Sequence, residues 1–177
     1  MTTPLTKNGE EQAKKVAKEL QQQKVDIIIA SPFLRTQETA KPLAKALGIE
    51  IILDERVAEW NVGDLIGKPS HSPEAKHDAQ RAYTELDYVR GGTGETHQQV
   101  RDRALDFITD ISKKYPGKTI AFFSHNGFGK VLLSALRNDS YLKKNIKNCQ
   151  IIPLYIDNNT GKELNLHRPT IDRLYIP

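Results

Sequence analysis

Four consecutive residues with no polar side chain, Ile27-Ile28-Ile29-Ala30, run directly into Ser31-Pro32. An unbroken β-branched run of this length suits a strand from Asp26 to Ala30 that is covered on both faces, as in a parallel sheet sandwiched between helices. Ser31-Pro32 ends it, and from about Phe33 the pattern turns helical and continues to Leu47. Arg35 then falls in the first turn of that helix, at the carboxyl edge of the sheet, where open α/β folds bind ligands. Free backbone N–H groups and a planar guanidinium both favour an oxyanion at such a place. The alternative is a solvated first-turn arginine with no role.

The rest of the chain repeats the unit. Thr6 is placed to cap a first helix, with Glu10 in its first turn and Ala13, Val16, Ala17 and Leu20 at helical spacing. Gly48 follows the Arg35 helix as a C′ residue, and Pro42 inside it predicts a kink or a restart. Ile49 to Leu53 reads as a second strand, followed by a tight loop around Glu59, Gly63 and Gly67. Residues Lys68 to Thr93 are polar, with only a weak helical patch near Ala79 to Leu86; His71 and His77 read as exposed loop residues there, without companion ligands for zinc. Thr96 caps a helix whose buried face is Val100, Ala104, Phe107, Ile108 and Ile111, and Pro116-Gly117 stops it. Thr119 to Phe123 is a third strand ending at Ser124-His125-Asn126-Gly127, where another helix begins, and Cys149 to Ile156 is a last strand. Glu163 to Pro177 shows no clear period.

The fold class is therefore α/β, three-layered with a mostly parallel sheet, in which Arg35 and His125 converge at neighbouring strand ends. At His125 the alternative is a core histidine satisfied by the backbone, at Glu59 a solvated loop carboxylate, and His97 reads as structural. The 177 residues suffice for one domain with a real core. A formal charge of +4 with acidic and basic residues intermixed gives no nucleic-acid stripe. The single Cys149 excludes an internal disulfide and fits a reducing cytosol. Neither a membrane-spanning run nor a signal-peptide core is visible, so the expected location is cytoplasmic.

In order and spacing, these segments resemble the histidine phosphatase superfamily, the phosphoglycerate-mutase-like fold. Pro4-Leu5-Thr6 with Gly9, Gln12 and Ala13 resembles its first-helix signature, and Ser31-Pro32 with Arg35, Thr36, Thr39 and Ala40 its second arginine motif. Glu59 with Gly63 and Gly67 resembles its acid loop, Gly94-Glu95-Thr96 the opening of its long helix, and Ser124-His125 its second histidine motif. The resemblance covers Pro4 to Ile156. It implies metal-independent phosphomonoester hydrolysis or phosphoryl transfer through a phosphohistidine, with no cofactor and with phosphate or a phosphorylated small molecule as partner. By that resemblance Arg35 clamps phosphate oxygens, His125 hydrogen-bonds the phosphoryl group with Asn126 beside it, and Glu59 protonates the leaving oxygen. Such roles match what phosphoryl transfer needs, charge stabilisation and a proton for the departing alkoxide.

Two departures follow. The family's Arg-His-Gly triplet, which ends its first strand and supplies the nucleophilic histidine, has no counterpart in this chain, so the resemblance implies that an interior strand is lost, its neighbours are left with unpaired backbone groups, and the chain is inactive or nearly so. Asn126 also stands where the family usually has glycine directly after the histidine. The tail, Glu163 to Asp172, resembles a short stretch of isoleucyl-tRNA synthetase, although neither ATP-binding signature of that synthetase class is present. That divides the chain into a domain at 1–157 and a tail at 158–177. It also opens two noncatalytic alternatives: an insertion in a synthetase fragment, the one setting with a nucleic-acid partner, or a phosphate-binding module.

Overall fold

The computed structural model describes residues 3–137, 142, 146–163 and 173–176, the last four as backbone. In chain order the elements are α1 (Lys7–Gln21), β1 (Ile27–Ala30), α2 (Leu34–Leu47), β2 (Ile51–Leu53), α3 (Pro73–Thr84), α4 (His97–Lys114), β3 (Ile120–Phe123), α5 (Asn126–Arg137), β4 (Ile152–Tyr155) and β5 (Arg173–Ile176). The sheet order is β2-β1-β3-β5-β4, parallel except where β4 meets β5. No described helix is long and apolar enough to cross a membrane.

Alternation along the two central strands explains why their sequences are apolar throughout. Ile28 and Ala30 of β1 and Ala121 and Phe123 of β3 point into a core with Val16, Leu20 and Leu43 of α1 and α2. Ile29, Ile120 and Phe122 point the other way, into a core with Val100, Phe107 and Ile108 of α4 and Phe128 and Leu132 of α5. Both sides of each strand are therefore buried, the three-layer arrangement expected of a parallel sheet. Phe107 and Phe122 meet edge to face at 5.2 Å, and truncating either to alanine would cost about 3–5 kcal/mol.

The caps read from sequence are in place. Thr6 accepts from the Gly9 N–H, Gly48 closes α2 in the left-handed region, and Thr96 forms a capping box with Gln99. Several expectations need correction. Pro42 neither interrupts nor restarts α2, which runs unbroken from Leu34 to Leu47. The helical patch in the polar stretch is a full helix, α3, capped by Ser72 with Pro73 in its first turn, and His77 lies exposed on it rather than in a loop. Its pattern is hard to see because only Ala75, Asp78 and Ala82 are buried.

The sheet is also not left open. Residues 173–176, in the stretch without a period, form β5 between β3 and β4, parallel to the first and antiparallel to the second, so the backbone groups expected to be exposed there are paired. The synthetase-like run lies, except for Glu163, outside the described residues.

Candidate active site

Register alone brings the site together. Ala30 and Phe123 are the last paired residues of β1 and β3, and one step further the Ser31 N–H donates to the Phe123 carbonyl at 2.9 Å. Beyond that step β1 turns through Pro32 into α2, carrying Arg35, and β3 delivers Ser124-His125 to the start of α5. Nε2 of His125 is 2.9 Å from Ser31 Oγ, and Nδ1 is 3.0 Å from Arg35 Nη2. Phe33 packs against both, its ring 4.8 Å from the imidazole and 4.7 Å below the guanidinium.

A guanidinium can only donate, so Nδ1 accepts and the proton sits on Nε2, donated to Ser31. Burial, then the positive charges of Arg35 and Arg103, push the His125 pKa down to about 3. His125 is accordingly neutral near pH 7. Burial also lowers the pKa of Arg35, opposed by the charge of Glu59, without threatening its protonation.

Glu59 reaches the site from the loop after β2. Its Oε1 accepts from the Trp60 N–H at 2.9 Å and the Phe128 N–H at 3.1 Å, and its Oε2 lies 3.4 Å from the Gly127 N–H. The carboxylate thus caps the first turn of α5, where the helix dipole favours negative charge. Gly127 makes this possible, since a Cβ there would stand 2.6 Å from Oε1.

Arg103 of α4 holds the loop from below. It donates to the carbonyls of Arg56 at 2.7 Å, Ala58 at 2.9 Å and Glu59 at 3.3 Å, and grips the Glu95 carboxylate with two further bonds. Glu95 in turn accepts from the Asn61 N–H at 2.9 Å, and Ser124 Oγ donates to the Val57 carbonyl at 2.7 Å. At the far end of this loop Gly63, with φ 55°, passes too close to the backbone of Gly94 and Arg90 for any side chain.

Arg35, Glu59, His125 and Asn126 all line one cavity of about 400 Å³. The Asn126 amide donates to the Ile146 carbonyl at 2.7 Å, tying down the wall formed by 146–149. Cys149 lies in that wall at φ 57°, and burial pushes its thiol pKa up. His71 and His77 are exposed and outside the cavity. His97 is buried against Trp60, with its Nδ1 unpartnered among the described residues. Among those residues no group of three or more His, Cys, Asp or Glu could hold a metal ion. The sequence reading missed the roles of Ser31, Phe33, Glu95 and Arg103. The signals available were the register of β1 with β3 and the capping position of Thr96, which places Glu95 just outside α4.

The chain is similar to known proteins in sequence and in fold. A family model described as histidine phosphatase superfamily (branch 1) matches residues 1–168. Phosphoserine phosphatase 1 of Hydrogenobacter thermophilus is 31% identical over 123 residues, 68% of this chain, which spans 58% of that protein's length. A probable phosphoglycerate mutase GpmB of Enterobacter sp. is 31% identical over 155 residues, covering 84% of this chain and 72% of that one. Among solved structures, Bacillus stearothermophilus YhfR superposes with a TM-score of 0.79 at 25% identity, covering 93% and 84% of the two chains. Phosphoserine phosphatase of Entamoeba histolytica, solved in complex with 3-phosphoglyceric acid, gives a TM-score of 0.71 at 23% identity over 91% and 81%, a likeness of fold.

Proposed function

This chain belongs to the histidine phosphatase superfamily, branch 1, and from that premise we propose that it binds the phosphoryl group of a small phosphomonoester in its cavity without completing the phosphohistidine cycle. Arg35 and His125 hold the phosphoryl oxygens, and Glu59 stands at the bridging oxygen. The observation that carries the reading is the contact between Arg35 and His125: a fixed cation and a neutral imidazole, at adjoining strand ends, with a free cavity in front.

Turnover by the family's route needs an in-line nucleophile opposite the leaving oxygen. Among the described residues His125 is the one histidine lining the cavity, and both its ring nitrogens are engaged. A phosphoryl group drawing Arg35 toward itself frees Nδ1, and the added negative charge favours a proton there. His125 then donates to a phosphoryl oxygen rather than attacking phosphorus.

Titration of inorganic phosphate by calorimetry tests the reading. Saturable binding by the wild-type chain, lost by at least tenfold in Arg35→Ala, is expected, along with no acid-labile phosphoprotein and no turnover of p-nitrophenyl phosphate. Steady hydrolysis abolished by His125→Ala would replace it with a catalytic one, and absence of phosphate binding would end it.

A further inference from the structure

We propose that Phe33 is a positioning residue of the phosphoryl site: the face of its ring holds the Arg35 guanidinium in place without using the N–H groups or the charge that an oxyanion needs. The proposal rests on the phosphoryl reading of Arg35 and His125 argued above, and goes beyond it by assigning what orients the pair.

Phe33 stands where local preference argues against it. It is the N-cap of α2, with extended backbone angles (φ −71°, ψ 134°) and no side-chain hydrogen bond to the helix. Ser, Thr, Asp and Asn are favoured at an N-cap because their oxygen accepts an orphan N–H, a bond that phenylalanine cannot make. Elsewhere the chain keeps the rule, with Thr6, Ser72 and Thr96 capping α1, α3 and α4. A residue that breaks a local rule kept by its neighbours points to a gain in tertiary contact.

That contact is with the site. Arg35 Cζ lies over the Phe33 ring, 4.7 Å from its centroid, and the His125 imidazole meets the ring at 4.8 Å with the planes inclined at 65°. Both distances suit favourable cation–π and aromatic contacts. Phe33 is not among the residues lining the cavity, so the ring supports Arg35 and His125 without meeting the ligand.

A carboxylate partner would order Arg35 by taking its N–H groups and offsetting its charge. The ring takes only the face of the guanidinium and leaves the planar fork of donors free. Among the described residues Arg35 makes no ion pair, and His125 is its one side-chain hydrogen-bond partner. Orientation of this long side chain therefore falls to Phe33 and His125, and ordering it in advance removes that cost from binding. The support is itself anchored. The Phe33 N–H lies 3.4 Å from Ser31 Oγ, the same oxygen that His125 Nε2 reaches at 2.9 Å, and the Phe33 carbonyl accepts from the Thr36 N–H at 3.0 Å and Thr36 Oγ1 at 2.6 Å.

Calorimetric titration of inorganic phosphate into wild type, Phe33→Leu and Phe33→Tyr tests the role. Leucine keeps an apolar side chain without a π face, and tyrosine keeps the face. Phe33→Leu is expected to weaken binding about three- to tenfold, and Phe33→Tyr to stay within about twofold of wild type. Urea melts establish that both variants are folded. In the ligand-free wild type, the ring current of Phe33 is expected to shift the Arg35 guanidinium protons upfield. Ordinary positions for those protons would overturn the proposal without recourse to any variant. Binding by Phe33→Leu as tight as wild type, or equal weakening in both variants, would show that Phe33 serves packing only, while the phosphoryl site stands. If the wild type binds no phosphate, the phosphoryl reading itself falls and takes this one with it.

Discussion

Arg35 Nη2 stands 3.0 Å from His125 Nδ1, so a permanent cation donates to the imidazole that the protein keeps neutral. Ser31 completes the arrangement by accepting from the opposite nitrogen at 2.9 Å. The imidazole accepts the guanidinium N–H without neutralising its charge, so Arg35 still favours an anion beside it.

The pH dependence of stability follows from that neutrality. Burial holds the His125 pKa at about 3 in the folded chain, against about 6.5 when unfolded. Between these values the unfolded state binds the extra proton, so the contribution is fully present above about pH 6.5 and is lost as pH falls towards 3. His97, lowered chiefly by burial, acts with the same sign. Denaturant melts at pH 7 and pH 5 should show lower stability at pH 5, and His125→Asn should flatten the slope. An unchanged slope in that variant would show that His125 titrates normally. Saturating phosphate should raise the His125 pKa, seen as proton uptake on binding near pH 6.

Ser31 accepts the proton-bearing Nε2–H of the tautomer that Arg35 sets. It is fully buried, and without its hydroxyl the Nε2–H has no acceptor among the contacts described. Ser31→Ala should destabilise the chain by about 1–3 kcal/mol, the usual cost of an orphaned buried donor. Nitrogen chemical shifts of His125 should show the Nε2–H form in both proteins, since Arg35 still requires Nδ1 to accept. Mixed tautomers in the variant would show that Ser31 shares in setting it.

Arg103 should matter more for the shape of the site than its distance along the chain suggests. Its bonds to three carbonyls and Glu95 hold the backbone of Glu59 itself. Arg103→Leu strands a mostly buried carboxylate and should cost about 3–5 kcal/mol, while Arg103→Leu combined with Glu95→Leu should recover part of that loss. Urea melts of the two single variants and the double variant check the coupling; strictly additive losses would mean that the pair does not act as a unit.

What the sequence made legible was local. The caps at Thr6 and Thr96, the apolar faces of α1 and α4, and the two strands ending at Ser31 and Ser124 follow from patterns within a few residues. These fixed the carboxyl-edge placement of Arg35 and His125, because in a parallel sheet adjacent strands end on the same side. Arg103 was opaque because its partners at Arg56, Ala58 and Glu59 lie 44 to 47 residues away, and a backbone carbonyl leaves no trace in side-chain chemistry. The strand at Arg173–Ile176 was opaque for another reason: it is four residues long, begins with a charge, and pairs with β3 across about fifty residues.

Glu59 gives the sharpest test of what the carboxylate does before any leaving oxygen is present. It occupies the N–H groups of Gly127 and Phe128 at the head of α5, an anion position that a phosphate would otherwise be drawn to, and it is the only carboxylate among the described residues lining the cavity. Glu59→Gln keeps the size and removes the charge, so inorganic phosphate should bind about three- to tenfold tighter, worth roughly 1 kcal/mol. Gly127→Ala reaches the same carboxylate by a different route, since its Cβ would stand 2.6 Å from Oε1 and displace the end of a flexible side chain rather than backbone. It should shift Glu59 without unfolding the chain. Calorimetric titration of both variants decides the matter: tighter binding in Glu59→Gln means that the carboxylate competes with phosphate, whereas unchanged or weaker binding means that it does not.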